Sequence, residues 1–174
     1  VEWSIKCALQ SQSCSAIYLS SDSSQILDIA ANFDSVTPHM RSAKNSDDTA
    51  SSVDALNEVI DFYDLANKGQ YICLLEPTFP FRSYSLIDEL YKLCLSTKAD
   101  SGVVVRSVKR NPKNIFEKFD DGLLTRLIKD ESLNFSRRQE FKNICRLSSG
   151  IYVCKIKNIL DGDIMKGVNV GLYD

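Results

Sequence analysis

The sequence predicts an α/β fold with a doubly wound, mostly parallel sheet, and two observations predict it. Short β-prone runs alternate with stretches whose apolar residues recur at helical spacing. One run, Tyr71-Ile72-Cys73-Leu74-Leu75, is apolar without alternation, as in a strand covered on both faces, and is expected at the centre of a parallel sheet. The 174 residues fit one domain, and 44% hydrophobic with 25% charged residues place the chain among globular proteins rather than disordered, collagen-like or coiled-coil ones.

Each element follows from its local pattern. Val1, Ile5, Ala8 and Leu9 share one face of an opening helix. Ala16-Ile17-Tyr18-Leu19 reads as a strand, and the polar turn after it leads to a helix marked by Ile26, Ile29, Ala30 and Phe33. Residues 35–37 suit a short strand, followed by a polar loop over 38–47. Asp48 is expected to cap a third helix, whose stripe is Val53, Leu56, Ile60 and Tyr63. Glu76-Pro77 stops the central strand, and residues 85–97 form the next helix, with Ser85 and Asp88 as its capping pattern. Residues 102–107 are a β-branched run. Asp120-Asp121-Gly122, between residues 114–119 and 123–128, reads as the turn of a hairpin, because Asp-Gly suits positive φ. A strand over 151–156, a short helix around 158–160 and a glycine-bearing tail complete the chain. The stretch 108–147 is expected to project from the sheet as a hairpin and dimerisation insertion within one domain spanning 1–174.

The residue chemistry narrows the function. A net charge of −2 does not attract polyanions, so no nucleic-acid partner is expected, and no apolar run suggests a membrane span. The six cysteines have mostly apolar neighbours and read as reduced core residues, without the paired spacing of a zinc site. His39 is the sole histidine and reads as a surface or loop residue. Glycine-rich phosphate loops are missing from these residues, and Asp120-Asp121 is explained by its turn.

Ligands of such folds bind beyond the carboxyl ends of the strands, which directs attention to three clusters. Residues 74–82 (Leu-Leu-Glu-Pro-Thr-Phe-Pro-Phe-Arg) give a proline-stiffened turn closed by Arg82. Arg137-Arg138-Gln139 with Arg146 gathers guanidinium groups suited to carboxylate or phosphate. Residues 41–52 run from Arg41 into a helix start, where N–H groups favour an anion or a polar base edge. Each has a plainer alternative: a strand terminator, a solvated basic face, or ordinary helix capping.

Six short motifs in order carry a resemblance over nearly the whole chain. They are Ser20-Ser21-Asp22; Arg41 followed by Asp47-Asp48-Thr49-Ala50-Ser51-Ser52; residues 74–82; Asn111-Pro112; Arg137-Arg138-Gln139; and Ser148-Ser149-Gly150-Ile151-Tyr152. In these the chain resembles the acylneuraminate cytidylyltransferases, which make CMP-sialic acid and related CMP-nonulosonic acids on a Rossmann-like sheet. The resemblance implies that Arg41 and Ser52 bind the nucleotide, while Glu76, Arg82, Arg138, Gln139 and Ser148 line the sugar-acid side. Tyr152 is grouped with these and would face the site of the other subunit in a homodimer. It further implies a cytoplasmic enzyme that uses CTP, a nonulosonic sugar acid and Mg²⁺.

Members of that family begin with a buried strand and a glycine-rich loop that grips the triphosphate, and they continue into an Asp-x-Asp segment that holds the metal. Neither stretch is among the 174 residues, so catalytic residues are expected upstream, metal ligands beyond Asp174, and no catalysis from this portion alone. Glu76 stands where glutamine is usual and Ser148 where asparagine is usual, which points to a sugar acid other than plain N-acetylneuraminate. Two alternatives stay open: a 3-deoxy-manno-octulosonate cytidylyltransferase, and a catalytically incomplete nucleotide- or sugar-binding module.

Overall fold

The computed structural model describes residues 1–47, 49–108, 112–120, 122–129, 144–164 and 168–173. Helix α1 (Glu2–Gln10) buries Ile5, Cys7 and Ala8. Leu9, expected on that face, is exposed, because the arc that meets the core runs through Cys7. Strand β1 (Ile17–Ser21) follows. The helix expected next is a single turn, α2 (Ser24–Leu27), continued as the tighter 3₁₀ segment Asp28–Asn32.

Strand β2 (Val36–Met40) runs parallel to β1, with Ile17 opposite Val36 and Ser21 opposite Met40. The strand therefore continues through residues expected in a loop. Pro38 is tolerated because β2 pairs on one side only among the described residues. His39 is corrected with it: the side chain is 3% exposed, packed edge-on against Phe62 and Tyr63.

Helix α3 (Ser52–Phe62) is capped by Ser51, whose hydroxyl accepts from the Asp54 N–H while the Asp54 carboxylate accepts from the Ser51 N–H. The expected cap, Asp48, lies outside the described residues. Strand β3 (Tyr71–Leu75) leads to α4 (Tyr84–Thr97), capped by Ser83 rather than Ser85. Strand β4 (Ser101–Ser107) precedes a hairpin of β5 (Phe116–Lys118) and β6 (Leu124–Arg126), with Gly122 at φ +83° in its turn. Strand β7 (Cys145–Lys155) is longer than the sequence suggested and runs straight into α5 (Ile156–Leu160). The tail is a strand, β8 (Val168–Tyr173), rather than an irregular end.

The strands make a four-stranded sheet of order β3-β7-β4-β8, a β1-β2 pair and the separate β5-β6 hairpin. Within the larger sheet β8 is parallel to β4, and β7 is antiparallel to both β3 and β4, so three of four strands point the same way. The expected central place of β3 is thus corrected: it stands at one end of this sheet with an antiparallel neighbour and only half-buried residues. Among the described residues, neither the edge of β1 away from β2 nor that of β3 away from β7 has a strand partner.

Helices cover both faces, which makes the sheet doubly wound. Cys7, Ile87, Leu90, Cys94, Val104, Ile151 and Val153 form the core on the α1 and α4 side. Ile60, Cys154, Ile156 and Ile159 form it on the α3 and α5 side. Side chains alternate along β3 to serve both: Cys73 and Leu75 face the first cluster and Ile72 the second. Asp88 on α4 ties down the end of α1, accepting from the Ser11 hydroxyl at 2.6 Å and from the Ser13 N–H at 3.0 Å. The Rossmann-like class therefore stands. All six cysteines are free, but Cys145 is exposed and so departs from the expected core role. No helix among the described residues is long and apolar enough to cross a membrane.

Candidate functional site

The parallel β1-β2 pair ends at Ser21 and Met40, and Arg41 follows directly, its N–H donating to the Ser21 carbonyl at 2.9 Å. Helix α3 then leads to β3, the first strand of the separate four-stranded sheet, and Glu76 follows directly after it. Two groups of predicted residues are organised, one after β3 and one after β2.

The first surrounds the turn after β3. Between Val103 and Val105, β4 changes its partner on β7 from Tyr152 to Leu147, so β7 bulges over residues 148–151. Gly150 lies inside this bulge at φ +53°. A Cβ there would lie 2.7 Å from the Phe79 ring and 2.9 Å from the Glu76 carboxylate, so both conformation and space require glycine. The Gly150 carbonyl accepts from the Glu76 N–H at 3.0 Å and from Arg82 Nη1 at 2.9 Å. Arg82 Nη2 donates to the Glu76 carbonyl and to the Ser4 hydroxyl of α1. Burial lowers the guanidinium pKa from its ordinary value, with the nearby Glu76 carboxylate opposing that. Arg82 thus clamps the turn, the bulge and α1 together.

Glu76 is half-buried and lies close to Tyr152, whose phenol is pushed above its ordinary pKa by burial and by the Glu76 carboxylate. Ser148 is buried in the bulge. The structure therefore brings Glu76, Arg82, Ser148 and Tyr152 to one place. Arg138 and Gln139 lie outside the described residues.

The second group follows β2. Arg41 Nε donates to the Ser46 hydroxyl at 3.2 Å, and Nη2 lies 3.7 Å from the Asp22 carboxylate at the end of β1. Ser52, the first residue of α3, is exposed at the mouth of the same loop. Sequence reasoning missed what holds this loop. Glu58 on α3 accepts from the Ser42 N–H at 2.7 Å, from the Ser42 hydroxyl at 2.6 Å and from the Asn45 amide, and His39 Nε2 lies 3.4 Å away. Burial opposes its charge, but these donors outweigh it and hold its pKa down to about 2. No local signal marks Glu58, which sits in an ordinary amphipathic helix; its partners come from a segment 13 to 16 residues earlier.

An arginine beside a helix start suits a nucleotide, and a carboxylate-lined turn after a strand suits a polar second substrate. Over residues 1–145 the chain matches the family model described as cytidylyltransferase. The chain belongs to the cytidylyltransferase family. It is accordingly a nucleotidyltransferase. It is 26% identical to post-translational flagellin modification protein B of Campylobacter coli, over 99% of this chain and 73% of that protein. With CMP-N,N'-diacetyllegionaminic acid synthase of Legionella pneumophila it shares 29% identity, over 90% of this chain and 67% of that protein. A pseudaminic acid cytidylyltransferase of Campylobacter jejuni is 30% identical over 53% of this chain and 40% of that protein. Among solved structures, a CMP:2-keto-3-deoxy-manno-octonic acid synthetase complexed with CTP superposes with a TM-score of 0.68 at 12% identity, over all of this chain and 78% of that one. At that identity the likeness establishes the fold.

Proposed function

We propose that the protein transfers CMP from CTP to a sialic-acid-like nonulosonic acid, releasing pyrophosphate. The observation that carries this reading is the clamped turn of Glu76, Arg82 and Gly150 within a cytidylyltransferase chain. The names borne by the Legionella and Campylobacter jejuni relatives support this substrate class.

In the proposed cradle Arg41 and Ser52 take the nucleotide base. Glu76, Ser148 and Tyr152 take the sugar, with Arg138 and Gln139 joining them. Arg82 acts through the backbone, because its donors already hold the carbonyls of Glu76 and Gly150. The anomeric hydroxyl of the sugar attacks the α-phosphorus, loses its proton, and the bond to the pyrophosphate oxygen breaks. Holding both substrates together supplies orientation. Mg²⁺ belongs to this reading as the ion that offsets phosphate charge. Among the described residues no three His, Cys, Asp or Glu side chains gather to hold a metal.

Glu76 is assigned to a hydroxyl or amide of the sugar, since a carboxylate repels the substrate's own carboxylate. Homodimerisation is part of the same proposal. It is supported by the hairpin, which exposes Ile115, Phe116, Phe119, Leu123, Leu124 and Leu127. A cytoplasmic location, where CTP is made, completes it.

The test is pyrophosphate release by the full-length protein given CTP, Mg²⁺ and a panel of sugar acids. Turnover with a nonulosonic acid is expected. Turnover confined to 3-deoxy-manno-octulosonate favours the second enzyme reading, and CTP binding without turnover favours the incomplete binding module.

A further inference from the structure

We propose that Glu58 is a positioning residue for Arg41, holding the loop after β2 so that the guanidinium is presented to the nucleotide. The inference rests on the reading of Arg41 given above and extends it to a side chain outside that loop.

The geometry forms a continuous chain of bonds. Glu58 holds both the N–H and the hydroxyl of Ser42, the residue next to Arg41, and the Asn45 amide three residues on. The Ser42 carbonyl in turn accepts from the Ser46 hydroxyl at 2.8 Å, and that hydroxyl accepts from Arg41 Nε. His39, two residues before Arg41, brings its Nε2 to 3.4 Å from Glu58. One carboxylate thus holds the residues that follow Arg41 and touches the one two residues before it. A tie that merely fastened α3 to the loop would need one of these bonds. Converging on a single acceptor, they fix the backbone directly after the arginine and, through the Ser42 carbonyl, the hydroxyl that receives its Nε. The guanidinium is held at Nε by Ser46 and faces the Asp22 carboxylate through Nη2 at 3.7 Å, and preorganisation of this kind lowers the entropy lost when a ligand is held.

The experiment compares full-length wild type with Glu58→Gln, Arg41→Ala and the double variant, measuring CTP affinity by calorimetry and KM for each substrate. Glu58→Gln is expected to weaken CTP binding and raise its KM by about tenfold, with kcat and the sugar-acid KM changed by less than about twofold. Adding Glu58→Gln to Arg41→Ala is expected to weaken CTP binding no further, the non-additivity of residues acting through one another. Asn45→Asp in the Glu58→Gln background restores a donor–acceptor pair and is expected to recover most of the lost affinity. Ser42→Ala, which removes one donor from an exposed loop, gives a smaller rise and serves if Glu58→Gln does not fold. Effects of Glu58→Gln and Arg41→Ala that multiply, or a lowered Tm with CTP affinity unchanged, would overturn the inference. Wild type that fails to bind CTP defeats the functional reading itself, a result separate from wild type that binds CTP with Glu58→Gln equal to it.

Discussion

The two loops that carry the predicted site residues are built by different means. The turn after β3 is made rigid mainly by backbone: a glycine at positive φ, a bulge in β7, and an arginine that donates to two main-chain carbonyls and to the Ser4 hydroxyl. The loop after β2 is held by side chains: one carboxylate, two serines, an asparagine and a buried histidine. A backbone device tolerates almost no substitution and is indifferent to mild pH. A side-chain device can be retuned by exchanging donors and acceptors, and it titrates. The contrast suits the roles proposed for them, with a fixed wall for the sugar and an adjustable grip for the nucleotide.

The largest expected effect comes from Gly150→Val, which puts a branched side chain at φ +53° against Phe79 and Glu76. A loss of roughly 3–5 kcal/mol, or failure to fold, is expected in chemical denaturation. Unchanged stability would show that the turn is not backbone-built. Arg82→Lys should follow at roughly 2–3 kcal/mol, because a lysine cannot serve the carbonyls of Glu76 and Gly150 and Ser4 together. Its loss should appear in Tm as well as in sugar-acid KM. Glu76→Gln keeps the shape of the turn and changes only its charge. The expected result is a shift of about tenfold in relative kcat/KM among sugar acids with Tm nearly constant, and no shift in preference would remove Glu76 from substrate selection.

Acidification separates the two loops further. The folded pKa of Glu58 is about 2 against a usual 4.5, so its stabilisation is complete above about pH 4.5 and disappears as pH falls toward 2. With solvent screening allowed for, on the order of 1–2 kcal/mol is involved. Urea unfolding of wild type and Glu58→Gln should therefore differ at pH 7 and converge near pH 2. Persistence of the difference at low pH would mean that the carboxylate charge is not what ties the loop. The smallest effect is expected at Ser51→Ala, which removes the cap of α3 beside Ser52 and should lower stability by about 1 kcal/mol.

Much of the fold was legible residue by residue. The stripe Val53, Leu56 and Ile60 marked α3 because helical spacing gathers those residues on one face, and all three meet in the core cluster on that side. The Asp-Gly turn marked the hairpin because few residues other than glycine accept positive φ. The polar turns after β2 and β3 were legible as well, since polar residues directly after apolar strands mark where those strands end. Where a cap was misassigned, as with Ser85 in place of Ser83, the neighbouring serines offered the same local chemistry and only the observed bond chose between them.

What the chain dictated alone was therefore whatever depends on neighbours within a few residues: periodicity, caps, turns and the positions of polar breaks. Tertiary structure decided the partners of β3, the pairing of the tail as β8, the burial of His39, and the gathering of Ser42 and Asn45 onto Glu58. The reason is physical. Strand pairing and buried hydrogen bonds join residues tens of positions apart, and an apolar run or a helical glutamate carries the same local signature whichever distant partner it meets.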